Sequence, residues 1–156
     1  ICEYQPQSKF SLQLAYWDSF KQMESMSARQ TANLAKLLYH LVTTHQTLRL
    51  LPVIKTLDFS VDDMDENTSI FLTIVLSGIL EYFDDRISAK ALFERQQTQS
   101  DSLEEERVDK EEAVRAGLLI FFVETLKSSP RNKKGSNFRK NYKAIVKSLE
   151  VPGFDF

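Results

Sequence analysis

With 156 residues, 42% of them hydrophobic, and only four Gly and four Pro, the chain can fill one globular core and is too poor in turn formers for a β-rich or low-complexity protein. A single cysteine, Cys2, excludes an internal disulfide framework and a cysteine-built zinc site, and fits a reducing compartment. The net charge of −2 conceals an asymmetry: residues 1–126 carry 12 Lys+Arg against 20 Asp+Glu (−8), and residues 127–156 carry 8 against 2 (+6).

The opening Ile1-Cys2-Glu3-Tyr4 reads as the end of a helix, which predicts a piece of a longer protein. Phe10 to Phe20 holds the only Trp, two Phe and a Tyr. Leu12, Tyr16, Phe20 and Met23 recur at helical spacing, and Phe10, Leu14 and Trp17 form a neighbouring stripe. The pattern predicts a helix over about 9–24, buried on two sides, with a loss of roughly 3–5 kcal/mol for Trp17→Ala. Ser27 with Gln30 makes a capping box for a second helix ending near His45-Gln46, whose apolar face is Leu34, Leu37, Leu38, Leu41 and Val42. In Leu48 to Phe59, Pro52 is expected in the first turn of a short helix ending near Leu57. An acidic connection, Asp58 to Asn67, offers N-caps for the next helix, about 68–83. Apolar residues surround that helix, which makes it central and buried, and Gly78 within it permits close helix approach.

A short helix is predicted over about 88–97, then a polar stretch, Gln96 to Glu112, that is either a loop or the solvated start of the following helix. Ser102 with Glu105 makes a second capping box there. Val114 to Leu126 is helical and buried on most sides, Ser128 to Ser136 is a flexible basic loop, and Asn137 to Leu149 is an amphipathic helix. The longest apolar run, Ile70 to Leu80, is far short of the ~20 residues a bilayer span needs, so no membrane partner is expected. Seven helices on short connections predict an all-α fold of antiparallel helical pairs, a HEAT-like α-α superhelix with no sheet. Residues 1–149 form its single domain and residues 150–156 a tail.

Chemistry-bearing motifs are sparse. The four glycines are too scattered for a phosphate loop. His40 and His45, five apart, point to different faces of one helix and cannot share a metal. Cys2 has no sequence-adjacent base to activate it. The clusters Asp62-Asp63-Asp65-Glu66 and Glu104-Glu105-Glu106 lack the ligand spacing and turn glycine of a calcium loop, and read as helix N-terminal charge. No catalytic, cofactor or metal site and no small-molecule substrate is therefore expected. The positive signal is basic: Lys127, Arg131, Lys133, Lys134, Arg139, Lys140, Lys143 and Lys147 fall in a stretch with no acid. Such a cluster suits RNA phosphates or an acidic partner. The solvated face of an amphipathic helix would read alike, except that the loop extends the charge beyond the helix.

Several stretches resemble one family: Ile1-Cys2-Glu3-Tyr4, Tyr16-Trp17-Asp18-Ser19-Phe20 within Phe10–Phe20, and Asn33-Leu34-Ala35-Lys36-Leu37-Leu38 with His40-Leu41. Leu48–Phe59 and Ala116-Gly117-Leu118 with Phe121-Phe122 continue the match in order. The chain is similar, over most of residues 1–126, to nucleolar proteins of the suppressor of glycerol defect type, which pair a MIF-4G domain with an MA-3 domain. The resemblance implies the later part of the MA-3 domain, truncated at its N-terminal side. It implies a non-catalytic scaffold in nuclear and nucleolar small-subunit (18S) pre-rRNA processing, with pre-ribosomal RNA and ribosome-assembly proteins as partners. It also implies a link to a DEAD-box RNA helicase of the initiation-factor-4A class, mainly through the MIF-4G domain. A pre-mRNA splicing factor or a translation-initiation regulator binding the same helicase class is the alternative. An all-α enzyme would require a convergent pocket of perturbed carboxylates. Phe154-Asp155-Phe156 is a peptide motif or a plain tail.

Overall fold

Helix-forming runs separated by side-chain caps give seven α-helices among the described residues, which in this computed structural model are 6–57, 59, 64–94 and 104–150, without the side chains of 6–8 and 104–111. They are α1 (Pro6–Lys21), α2 (Ala28–Val42), α3 (Leu50–Ile54), α4 (Glu66–Tyr82), α5 (Arg86–Ala91), α6 (Glu104–Phe121) and α7 (Asn137–Glu150), with no strand among those residues. A 3₁₀ turn, Met23–Ser25, follows α1, and a π-helical turn, Phe122–Leu126, follows α6. The fold is all-α, as predicted.

The starts obey local chemistry. Ser27 Oγ accepts from Gln30 N–H at 3.1 Å while Gln30 Oε1 accepts from Ser27 N–H at 3.0 Å, the predicted capping box. Asp65 caps α4 by accepting from Thr68 N–H, and Asp85 caps α5 by accepting from Ile87 N–H. Pro52 lies in the first turn of α3, where its missing N–H has no partner to lose. The stretch left open between loop and helix is helical from Glu104; Ser102 and the expected second capping box lie outside the described residues.

α4 is the centre. Phe71, Leu72, Val75, Leu76, Ile79 and Leu80 are all fully buried. α2 lies along α4 and runs the same way. Asn67 Nδ2, in the first turn of α4, donates to Met23 O and Met26 O, both at 2.8 Å, just before α2 begins. Towards the other end, a Cβ on Gly78 would stand 2.7 Å from Tyr39 Cδ2, so the glycine admits the Tyr39 ring. α7 runs back along α4: Asn137 Nδ2 donates to Asp84 Oδ1 at 3.3 Å, and Asn141 Nδ2 to Leu80 O and Phe83 O at 2.9 and 2.8 Å.

α1 departs from expectation. Leu12, Tyr16, Phe20 and then Met23 turn to the core, with Tyr16 O–H donating to Leu34 O at 3.2 Å and Phe20 edge-on to Phe71. The second stripe is not buried: Phe10 is 57% and Leu14 40% exposed, because no described element covers that face. Trp17 is half-buried and acts as a clamp, its Nε1–H shared between Pro52 O (3.2 Å) and Val53 O (3.1 Å) of α3. Lys55 Nζ lies 5.0 Å from the centre of that ring. Leu37, assigned to the apolar face of α2, is likewise exposed, and the α6 region shows Ile120 and Val123 to solvent. The helix expected over Val114–Leu126 changes period at its end, where Lys127 N–H bonds Phe122 O at 2.9 Å.

Candidate nucleic-acid interface

The amphipathic pattern of α7 sets the orientation of the basic residues. Phe138, Asn141, Tyr142, Ile145 and Leu149 are buried. At 100° per residue the opposite direction belongs to Lys140, Lys143 and Lys147, all exposed. From Lys140 to Lys147 the stripe rises roughly 10 Å along the helix. Lys127, Lys133 and Lys134 are exposed in the preceding connection. Among the described residues none of these six lysines has a carboxylate within ion-pair distance.

The two arginines behave differently. Arg131 Nη1 lies 3.5 Å from Glu81 Oε2 of α4. Arg139 Nε donates to Asn132 Oδ1 at 3.3 Å. Both belong to a fold of the connection itself, which corrects the expectation of a flexible loop. Asn132 Nδ2 donates to Lys127 O (2.9 Å), Asn132 N–H to Ser129 O (3.0 Å) and Ser136 Oγ–H to Lys133 O (2.6 Å). Ser136 Oγ also accepts from Arg139 N–H, capping α7, and Gly135 takes the left-handed conformation (φ 81°) the turn requires. Of the eight basic residues the sequence singles out, six are presented outward and two hold the loop in place.

Sequence reasoning passed over Arg115 and the aromatic surface at the far ends of α2 and α4. Arg115 is buried; its Nη1 donates to Phe93 O and its Nη2 to Ser148 O at 2.9 Å, tying α6 to the residues after α5 and to α7. Its partners lie 22 and 33 positions away, so no local pattern signalled it. At the aromatic surface the Tyr39 ring centroid lies 4.9 Å from that of His40 and 6.1 Å from that of Tyr82.

A groove of about 350 Å³ is lined largely by aliphatic side chains in and beside α3 and α5, including Leu48, Leu50, Pro52 and Leu92. Asp85 beside it has its carboxyl held below the ordinary range by Ser88 Oγ–H and the Ile87 N–H, which is its cap role. His40 and His45 are both exposed, and among the described residues no group of three His, Cys, Asp or Glu side chains is arranged to hold a metal ion. No helix among those residues is long and apolar enough to cross a membrane.

No protein-family model and no solved structure matches the chain. Over 80 residues, 51% of its length, it is 33% identical to human (Homo sapiens) nucleolar MIF4G domain-containing protein 1. Over 85 residues it is 31% identical to the mouse (Mus musculus) protein of the same name. The matched stretches are 9% and 10% of those relatives, so the chain spans about a tenth of the curated proteins it matches. The similarity supports a MIF4G-related family, over about half of this chain.

Proposed function

We propose that this chain is a non-catalytic docking module of a nucleolar RNA-processing factor, and that the lysine face of α7 with its preceding loop contacts RNA. The observation that carries the reading is the outward stripe of Lys140, Lys143 and Lys147, continued by Lys133 and Lys134 on a loop that is folded rather than loose. Lysines held without acidic partners neutralise phosphates and release counterions, giving affinity that is sequence-independent and falls with salt. The likeness to proteins named as nucleolar supports nuclear, nucleolar placement.

The finer assignment extends the sequence resemblance. The module is the later part of an MA-3 domain and serves small-subunit (18S) pre-rRNA processing. Pre-ribosomal RNA and assembly proteins are its partners, and a DEAD-box helicase of the initiation-factor-4A class is reached mainly through another domain. Reversing Lys140, Lys143 and Lys147 together to Glu in the full-length protein tests the RNA contact. The expected result is loss of pre-ribosomal RNA crosslinking and a shallower salt dependence of RNA binding. Undiminished association would refute it. Strong capture of the helicase by residues 1–156 alone would move the assignment to a translation-regulator or splicing module.

A further inference from the structure

We infer that Tyr82, with Tyr39 and His40 beside it, forms a base-stacking platform for single-stranded RNA whose backbone is held by the basic loop that precedes α7. The inference rests on the basic-face reading above and names its ligand class.

The platform lies at the ends of α2 and α4. Tyr82, the last residue of α4, is 43% exposed, and His40 on α2 is exposed. Tyr39 bridges them, its centroid 4.9 Å from His40 and 6.1 Å from Tyr82, the latter pair edge to face. Tyr82 is also braced edge-on by Phe83 at 5.0 Å. Tyr39 cannot retreat, because it lies against the backbone of Gly78. The result is a cluster of rings at two helix ends, with Tyr82 and His40 exposed and Tyr39 part-buried between them. Buried contact would explain Tyr39; it does not explain why a tyrosine and a histidine flank it outside the core.

The basic loop runs past this same end of α4. Glu81 precedes Tyr82 and pairs with Arg131 at 3.5 Å, and Asp84 two residues later accepts from Asn137 at 3.3 Å. The loop between those anchors carries Lys133 and Lys134. Burial raises the Tyr39 hydroxyl above its ordinary range; the Tyr82 and Glu81 charges push the same way, and a hydrogen bond with Thr43 opposes them in part. Arg131 offsets Glu81, an acid whose charge acts on Tyr39. Aromatic faces beside a cationic rim are how proteins hold single strands irrespective of sequence, since every base presents a π-face. A duplex keeps its bases stacked inside and offers such a surface only its backbone.

The test uses the full chain, a fluorescent oligouridine RNA and an RNA duplex of equal length, with anisotropy as the readout. Tyr82→Ser is expected to weaken single-strand binding by roughly 5- to 150-fold, the range of one lost stacking contact. Its salt dependence should be unchanged, Tyr82→Phe should bind as the parent does, and duplex binding should be unaffected. Single-strand affinity of Tyr82→Ser within twofold of the parent, or equal losses on single strand and duplex, would overturn the inference. The Lys140, Lys143, Lys147 charge reversal separates the two readings. If it lowers binding while Tyr82→Ser does not, the platform is wrong and the basic face stands. If the parent binds neither RNA, both fall.

Discussion

Removing the carboxamide of Asn141 should destabilise this protein more than removing an average core methylene. Asn141 is 1% exposed, on the buried face of α7, and its Nδ2 donates to Leu80 O at 2.9 Å and Phe83 O at 2.8 Å. These carbonyls lie at the C-terminal end of α4, where the last carbonyls of a helix have no intrahelical donor. Phe83 is in extended conformation there (ψ 131°), so the chain leaves α4 without a glycine cap and the asparagine of another helix serves instead. Each hydrogen bond contributes about 1 kcal/mol net, and an acceptor left buried and unmatched costs a further 1–3 kcal/mol. With two bonds lost and one buried acceptor, Leu80 O, left unmatched, Asn141→Ala should lose about 3–5 kcal/mol. At roughly 2–4 °C per kcal/mol for a chain of this size, thermal unfolding followed by circular dichroism should shift down by about 6–20 °C. Asn141→Leu refills the volume but not the bonds, and should recover only part of the loss. A midpoint within 2 °C of the parent for Asn141→Ala would show that the ends of α4 and α7 are not joined as described.

Trp17→Phe keeps an aromatic on α3 but removes the indole donor shared by Pro52 O and Val53 O, and should cost about 1 kcal/mol in urea unfolding. Trp17→Ala should cost about 2–3 kcal/mol, less than the sequence estimate because the ring is only half-buried; an unchanged midpoint would contradict the clamp. Gly117→Ala drives a Cβ into Phe59 Cβ, so the ~1 kcal/mol of helix propensity it offers should be outweighed and the midpoint should fall, whereas a rise would show that Phe59 moves freely. Burial raises the hydroxyl of Tyr16 above its ordinary value of 10.0, with Tyr39 and Tyr142 shifted in the same direction. The folded state holds these phenols neutral after the unfolded state has ionised, so their contribution is intact below pH 10 and is lost as pH rises toward the folded values. Tyrosinate absorbance should thus rise together with unfolding, and Tyr16→Phe should resist alkali better than the parent while losing a little stability at neutral pH; equal alkaline loss in both would refute the assignment.

The elements that sequence made plain are those whose cause is local. The Ser27–Gln30 box, the place of Pro52 and the two-faced α7 each need only neighbours within a turn or two. The central position of α4 was legible because no face of it could tolerate water. The errors share a different cause. Phe10, Leu14 and Leu37 lie in rows that match the buried ones in spacing, and periodicity counts apolar residues without knowing which face will find a neighbour. Arg115 and Asn141 were missed for the converse reason: each is a polar residue whose partners are 22 to 61 positions away, so no local pattern marks it. At the candidate interface, charge was visible because it accumulates along the chain. The aromatic cluster was not, since residues 39, 40 and 82 meet only through the packing of α2 on α4.

That difference ties the stability of the fold to the presentation of the interface. The outward stripe of α7 points where it does because Asn141 and the apolar residues around it fix the rotation of the helix against α4. The same carbonyl contacts set the end of α4, from which Tyr82 projects and on which Glu81 receives Arg131. Asn141 touches no solvent, yet its loss should loosen the lysine stripe and the aromatic surface together. In RNA binding this would read as a fall in affinity on single strand and duplex alike, increasing with temperature as the folded fraction declines. A charge reversal on α7 changes the salt slope at every temperature, and Tyr82→Ser changes single-strand affinity alone. Measuring the three variants across temperature and salt separates the scaffold, the phosphate contacts and the stacking surface, and a salt slope altered by Asn141→Ala at low temperature would break this division of labour.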